Sequence, residues 1–217
     1  MSSGRKARLL RCSGFTLIEL LAVILILSIL AVILISNLRG ATEAAKTQTG
    51  AQLLAKLGAA IESYQNEFGG YPASSFAPGQ EVSNDGENVG IEALVVALFS
   101  RKWEAGGLLA EVKDALVNTD GDSSSKQLTD FGNRQLFEIP DPWGNPIAYI
   151  ERTDYGVTGR PYHTYDGKTG EENPTSPTAF KNPRTGLYYQ SESFQLTSAG
   201  PDGQFGTEDD ITTFQRD

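Results

Sequence analysis

The chain has 217 residues and a mass of 23.4 kDa, enough for one domain of ordinary size with an appendage. Its formal net charge is −9, from 27 acidic and 18 basic residues, with one cysteine, Cys12, and one histidine, His163. The acidic excess argues against nucleic acid as a partner, which needs clustered Lys and Arg, and a lone cysteine excludes an intramolecular disulfide.

The first fourteen residues carry Arg5, Lys6, Arg8 and Arg11 and no acid. Phe15 to Ile35 follows with only Thr16, Glu19 and Ser28 as polar interruptions. As a helix this stretch is about 31 Å long, which matches a hydrocarbon core of roughly 30 Å. A secretory signal has its small-residue cleavage site after the apolar run; here the only such site, Ser13-Gly14, precedes it. The basic flank puts the N-terminus in the cytoplasm and everything after Ile35 outside it. Setting the four basic residues aside leaves 14 against 27 acids, a charge of −13, compatible with divalent cations. Glu19 stands out, because an ionised carboxylate in lipid costs several kcal/mol unless something neutralises it.

Beyond Ile35 the pattern turns amphipathic. Leu53, Leu57, Ile61, Tyr64 and Phe68 recur at steps of three and four, which predicts a helix face continuing to about Asn66, where Gly69-Gly70-Tyr71-Pro72 ends it. A polar loop, 73–88, comes next. Ile91, Leu94, Val95 and Leu98 form one stripe of a short helix over 90–100, and 108–117 suggests another. Residues 118–130 are acidic and serine-rich and read as a flexible surface loop; Asp120 and Asp122 lie in it with no further ligand type flanking them. Past Pro140, 146–151 and 193–198 alternate as strands, 137–139 and 187–189 do so more weakly, and 156–186 reads as a long irregular loop. His163 lacks a second His or Cys at zinc-ligand spacing and reads as a surface or turn histidine. Asp141-Pro142-Trp143-Gly144-Asn145-Pro146 reads as a structural turn, with Trp143 pinning it to the long helix. The fold class is α+β: one long N-terminal helix on a small antiparallel sheet.

Gly14-Phe15-Thr16-Leu17-Ile18-Glu19, after a basic leader and opening an apolar helix, resembles the prepilin family of type IV pilins and type II secretion pseudopilins. Further blocks resemble the major-pseudopilin branch of type II secretion: Gly70-Tyr71-Pro72, Gly90 to Leu94, Asp141 to Pro146 with Tyr149, and Ser198 to Gly203 before Glu208-Asp209-Asp210-Ile211. The stretches 95–138 and 156–186 depart from that pattern as apparent insertions. The resemblance implies a leader, 1–14, cut between Gly14 and Phe15 by a prepilin peptidase, with N-methylation of Phe15. It implies an assembly helix, 15–35, and an extracytoplasmic globular domain, 36–217. On this reading the carboxylate of Glu19 pairs with the new α-amine of a neighbouring subunit, which fixes the stagger between them.

Two glycine turns in SAGPDGQFGTEDDI bring carboxylates together, and calcium favours six to eight oxygens from carboxylates and backbone carbonyls. The spacing is not that of an EF-hand. The residues alone leave a solvated acidic turn or a metal loop open. The resemblance implies one calcium, for which the candidates are Asp202, Asp209 and Asp210, with Glu208 as a substitute and carbonyls near Leu196, Ser198 and Gln204.

No nucleophile and base arrangement is readable, so the expectation is a non-enzyme. The family implies a structural subunit of a type II secretion pseudopilus in the bacterial inner membrane, single-pass, with a periplasmic domain. Its expected partners are further copies in a filament, minor pseudopilins, the prepilin peptidase, an inner-membrane platform with its ATPase, and lipid before assembly. The alternative is a type IV pilin of a surface fibre for adhesion, motility or DNA uptake.

Overall fold

The computed structural model describes residues 15–77, 85–100 and 110–216, the side chains of 35–39 excepted. Helix α1 is Leu17–Phe68, α2 is Val89–Leu98 and α3 is Ala110–Lys113. Strands β1 (Ala148–Glu151), β2 (Phe194–Ser198) and β3 (Ile211–Thr212) form one antiparallel sheet in the order β1-β2-β3. The α+β class and the antiparallel sheet are as expected. The chain divides between Thr42 and Glu43 into two units.

In the first unit, Leu17–Leu34 has a mean hydropathy of 3.2 and none of it is buried, as a helix built to be covered by lipid or by other helices requires. Ser28 hides its hydroxyl by donating to the Ile24 carbonyl at 2.7 Å, so the polar interruption exposes no unmet group.

The second unit packs α1 by one face. Leu54, Leu57, Ala60 and Ile61 are buried, Leu53 and Tyr64 are partly so, and Phe68 at the helix end is 50% exposed. The expected stripe is therefore right in its centre and too long at its C-terminal end. Helix α2 buries Ile91, Leu94, Val95 and Leu98 in the same core, with Ile147, Tyr149, Phe194 and Leu196 from the sheet region. It approaches β1 closely at Gly90, where a Cβ would lie 2.3 Å from the Tyr149 carbonyl oxygen and 2.7 Å from the Tyr162 hydroxyl.

The expected strands begin one or two residues late. Pro146 and Ile147 precede β1, and Ser193 precedes β2, whose register pairs Tyr149 with Leu196 and Ile150 with Gln195. The weaker candidates make single bridges, Val117 with Glu138 and Lys181 with Tyr188. Strand β3, two residues long, carries too short a pattern to be read from sequence. The expected helix over 108–117 shrinks to α3, with 108 and 109 outside the described residues.

The second apparent insertion is anchored. In 156–186, Tyr162 and Thr164 are buried, Tyr162 bridges to Thr175, and Tyr165 bridges to Glu172. His163 is half-buried, with Nε2 2.7 Å from the Tyr165 hydroxyl and Nδ1 3.4 Å from the Glu87 carboxylate. The turn after Pro140 is knotted by Asp141. Its Oδ1 accepts the Trp143 and Asn145 amides, and its Oδ2 accepts the Ser198 hydroxyl at 2.6 Å. Trp143 pins this turn to α1 as expected, donating from Nε1 to Glu43 at 2.9 Å.

Gly90→Ala should destabilise the fold by about 2 kcal/mol, because the new methyl meets backbone that cannot withdraw. Urea denaturation of the detergent-solubilised chain, followed by far-UV circular dichroism, measures the shift.

Candidate functional site

Three places carry chemistry. The first is the start of α1. Thr16 donates its amide (3.0 Å) and its hydroxyl (2.8 Å) to Glu19 Oε2, and the Glu19 amide donates to the Thr16 hydroxyl at 3.3 Å. This is a reciprocal capping box, with threonine at the cap and glutamate three residues on. Glu19 thus has a local role that satisfies otherwise orphaned donors at the helix start. The signal, Thr-x-x-Glu, stood in the sequence beside the more conspicuous motif. Gly14 lies outside the described residues, while Phe15 is 76% exposed and free to meet another chain.

The second place is the acidic C-terminal loop. The 3-10 turn Gly200–Asp202 follows β2, and Gly200 sits at φ +63° with no room for a side chain, since a Cβ would lie 2.5 Å from the Asp209 carbonyl oxygen. That approach brings the two acidic turns together. Asp202 Oδ1 accepts the Gln204 amide at 2.8 Å, and Asp209 Oδ1 accepts the Thr207 hydroxyl at 2.5 Å. Asp210 is buried; its Oδ2 accepts the Gly206 amide at 2.8 Å, while its Oδ1 is shut off from solvent without a donor. Burial pushes the Asp210 carboxyl up to about 6, with the Gly206 amide and Arg216 working against the rise.

The other candidates stand apart from this group. Glu208 and Gln204 are exposed, Leu196 is a core residue of β2, and the Ser198 hydroxyl is committed to Asp141, which leaves only its backbone as a donor of oxygen. No three carboxylates of the loop converge within 4.8 Å among the described residues. The donor set is nevertheless all oxygen, and the orphaned Asp210 Oδ1 faces no positive group closer than the Arg216 contact to its sister atom.

The loop is braced from both sides. Thr164 donates to the Gly203 carbonyl, Asn173 to the Asp202 carbonyl and the Gly167 amide to the Pro201 carbonyl. Arg216 donates to the carbonyls of Thr207, Glu208 and Asp210 and to Asp210 Oδ2.

The third place is one the sequence reading dismissed. Asp120 and Asp122 are flanked by other ligands after all: one triad is Asp85, Asp120 and Asp122, and a second is Glu92, Asp120 and Glu138, each with oxygens within 4.8 Å of one another. Sequence spacing hid this because the residues come from distant segments. Burial, then the neighbouring aspartates, pushes Glu92 up to about 10 and Asp122 up to about 7. Burial also pushes Glu138 up to about 8 against the pull of the Thr119 amide.

Comparison with known proteins bears first on the start of α1. Residues 9–35 match the prokaryotic N-terminal methylation motif. The motif takes in the exposed apolar stretch Leu17–Leu34. Beyond the motif, the chain is 25% identical over 201 residues to the type II secretion system core protein G of Escherichia coli (strain K12), covering 93% of this chain and 90% of the relative. It is 26% identical over 167 residues to the protein of the same name from Aeromonas hydrophila, covering 75% of this chain and 90% of the relative. No solved structure is matched.

Arg216→Ala should raise the rate of protease cleavage within 204–210 roughly tenfold, the effect of about 1.4 kcal/mol in local opening. Limited proteolysis with mass mapping of the fragments reads it directly.

Proposed function

We propose that this chain is a structural subunit of a type II secretion pseudopilus, anchored in the inner membrane with its domain in the periplasm and then drawn into a helical fibre. The observation that carries the reading is the similarity to core protein G along 93% of the chain, far more than the N-terminal motif alone spans. That similarity favours the secretion pseudopilus over a surface pilus.

On this reading a prepilin peptidase removes 1–14 between Gly14 and Phe15, and Phe15 becomes the N-methylated first residue. The new α-amine is cationic. Glu19, held one turn away by Thr16, offers it a carboxylate on the adjacent subunit. Opposite charges in low dielectric attract strongly, and either one left alone is costly, so the packed helices favour the stagger that brings them together. Leaving the bilayer exchanges lipid contacts for helix contacts of similar character, which keeps the net cost of extraction modest. The fibre partners include further copies, minor pseudopilins, and a platform with its ATPase.

We further propose that Asp202, Asp209 and Asp210 hold a calcium ion, with Glu208 in reserve and backbone oxygens near Leu196, Ser198 and Gln204 as secondary donors. Support comes from the buried, unpartnered Asp210 Oδ1 and from the close approach of the two acidic turns at Gly200. Calcium would add positive charge beyond the single Arg216 contact to Asp210 and close a loop that has few apolar anchors.

Glu19→Ala should leave membrane insertion intact and abolish fibres, as read by membrane fractionation and by electron microscopy of sheared material. Normal fibres would refute the stagger role. Chelation of calcium should speed proteolysis of the 200–210 loop, and Asp209→Asn with Asp210→Asn should remove that sensitivity to chelator.

A further inference from the structure

The carboxylates around Asp120 take no part in the reading above. They come from four segments: Asp85 from the turn before α2, Glu92 from its first turn, Asp120 and Asp122 from the stretch after α3, and Glu138 from the bridge to Val117. The two triads share Asp120. Glu92 and Glu138 are each 0% exposed.

Glu138 Oε2 accepts the Thr119 amide at 2.9 Å, but its Oε1 is sealed from solvent with no donor. Both oxygens of Asp122 are sealed from solvent, with the Glu92 carboxyl as their hydrogen-bond neighbour. Asp120 accepts only neutral groups, the Asn88 side-chain amide at 2.9 Å and the Asp122 backbone amide at 3.3 Å. Among the described residues, none of Asp120, Asp122 and Glu138 joins an ion pair. A buried carboxylate in that position needs either a shared proton or a cation.

The spacing favours the cation. Glu92 and Asp122 lie in hydrogen-bond contact and can share one proton, but Glu138 Oε1 has no such contact, so a shared proton leaves it unanswered. Oxygens on opposite sides of a calcium ion, with bonds of about 2.4 Å, lie up to about 4.8 Å apart. Both triads fall within that span. The donors are all oxygen, with neither thiolate nor imidazole, and several are carboxylates; that suits calcium better than zinc, or than magnesium, which prefers to keep its water.

We propose that this cluster binds one calcium ion held by Glu92, Asp120 and Glu138, with Asp122 and Asp85, which meet Asp120 in the other triad, at the outer edge. The ion staples the 118–138 stretch to the start of α2, in a chain whose single cysteine leaves no covalent alternative. Asn88 prepares the site. At φ +49° it caps α2, and its side chain donates to Thr119 and Asp120 while accepting the His163 amide.

The test is isothermal titration of the metal-stripped, full-length chain in detergent micelles with calcium chloride. The wild type should take up two equivalents, one here and one in the C-terminal loop. Asp209→Asn with Asp210→Asn should keep one equivalent, Asp122→Asn with Glu138→Gln should keep one, and the four changes together should keep none. Should the C-terminal loop bind no calcium, the wild type would take up one equivalent and Asp122→Asn with Glu138→Gln would still abolish it. Unchanged stoichiometry in Asp122→Asn with Glu138→Gln overturns the proposal. If that variant fails to fold, the C-terminal variant decides alone: one equivalent of calcium supports the site, and uptake of none, or of magnesium in preference, overturns it.

Discussion

The contact on which the globular unit depends is the burial of one side of α1, from Leu54 to Ile61, beneath α2 and the three-stranded sheet. Leu57, Ile61, Ile91, Leu94, Tyr149 and Leu196 are fully enclosed there, and their burial is the main favourable term available. Much of the described remainder of this unit is loop. Loops with few apolar side chains stay in place only if their polar groups are answered, and here carboxylates answer them. Asp141 gathers two amides and a hydroxyl, while Asp154 receives Ser74 and Arg160. Acidity in this chain is therefore in large part structural.

The same helix meets opposite demands at its two ends. Up to Leu34 it is apolar on every side; from Leu53 onward it is apolar on one. Thr16 and Glu19 finish its beginning with a reciprocal cap, so the acid that looked anomalous in an apolar run is already stabilised inside one chain. A carboxylate held in a fixed place by its own helix loses less freedom when a partner charge arrives than one that must be ordered at that moment. The local cap and the proposed contact between subunits are thus compatible uses of one side chain.

Much of this was legible in the sequence because the signals were local. The apolar run, the steps of three and four from Leu53 to Ile61, the stripe of α2, the alternation in 146–151 and 193–198, and the knotted turn at Trp143 all lie within short windows. What escaped depended on distance along the chain. Asp120 looked solitary because its neighbours Glu92 and Glu138 are 28 and 18 residues away from it. The stretch 156–186 read as irregular, and it is, yet Tyr162 is buried where Gly90 leaves room for its hydroxyl, and Thr164 is buried with its hydroxyl on the Gly203 carbonyl. Composition reports how regular a segment is; it does not report what the segment touches.

The indole of Trp143 donates to Glu43, and the ammonium of Lys46 lies 5.8 Å from its ring centroid, so a formal charge of each sign sits beside the ring. Indole emission shifts with the electric field across the ring, and the only other tryptophan is Trp103. With Trp103 replaced by phenylalanine, the chain's intrinsic fluorescence becomes an optical gauge of whether the 43–46 stretch of the helix still rests against its turn, readable in a membrane, a micelle or a fibre without any added label.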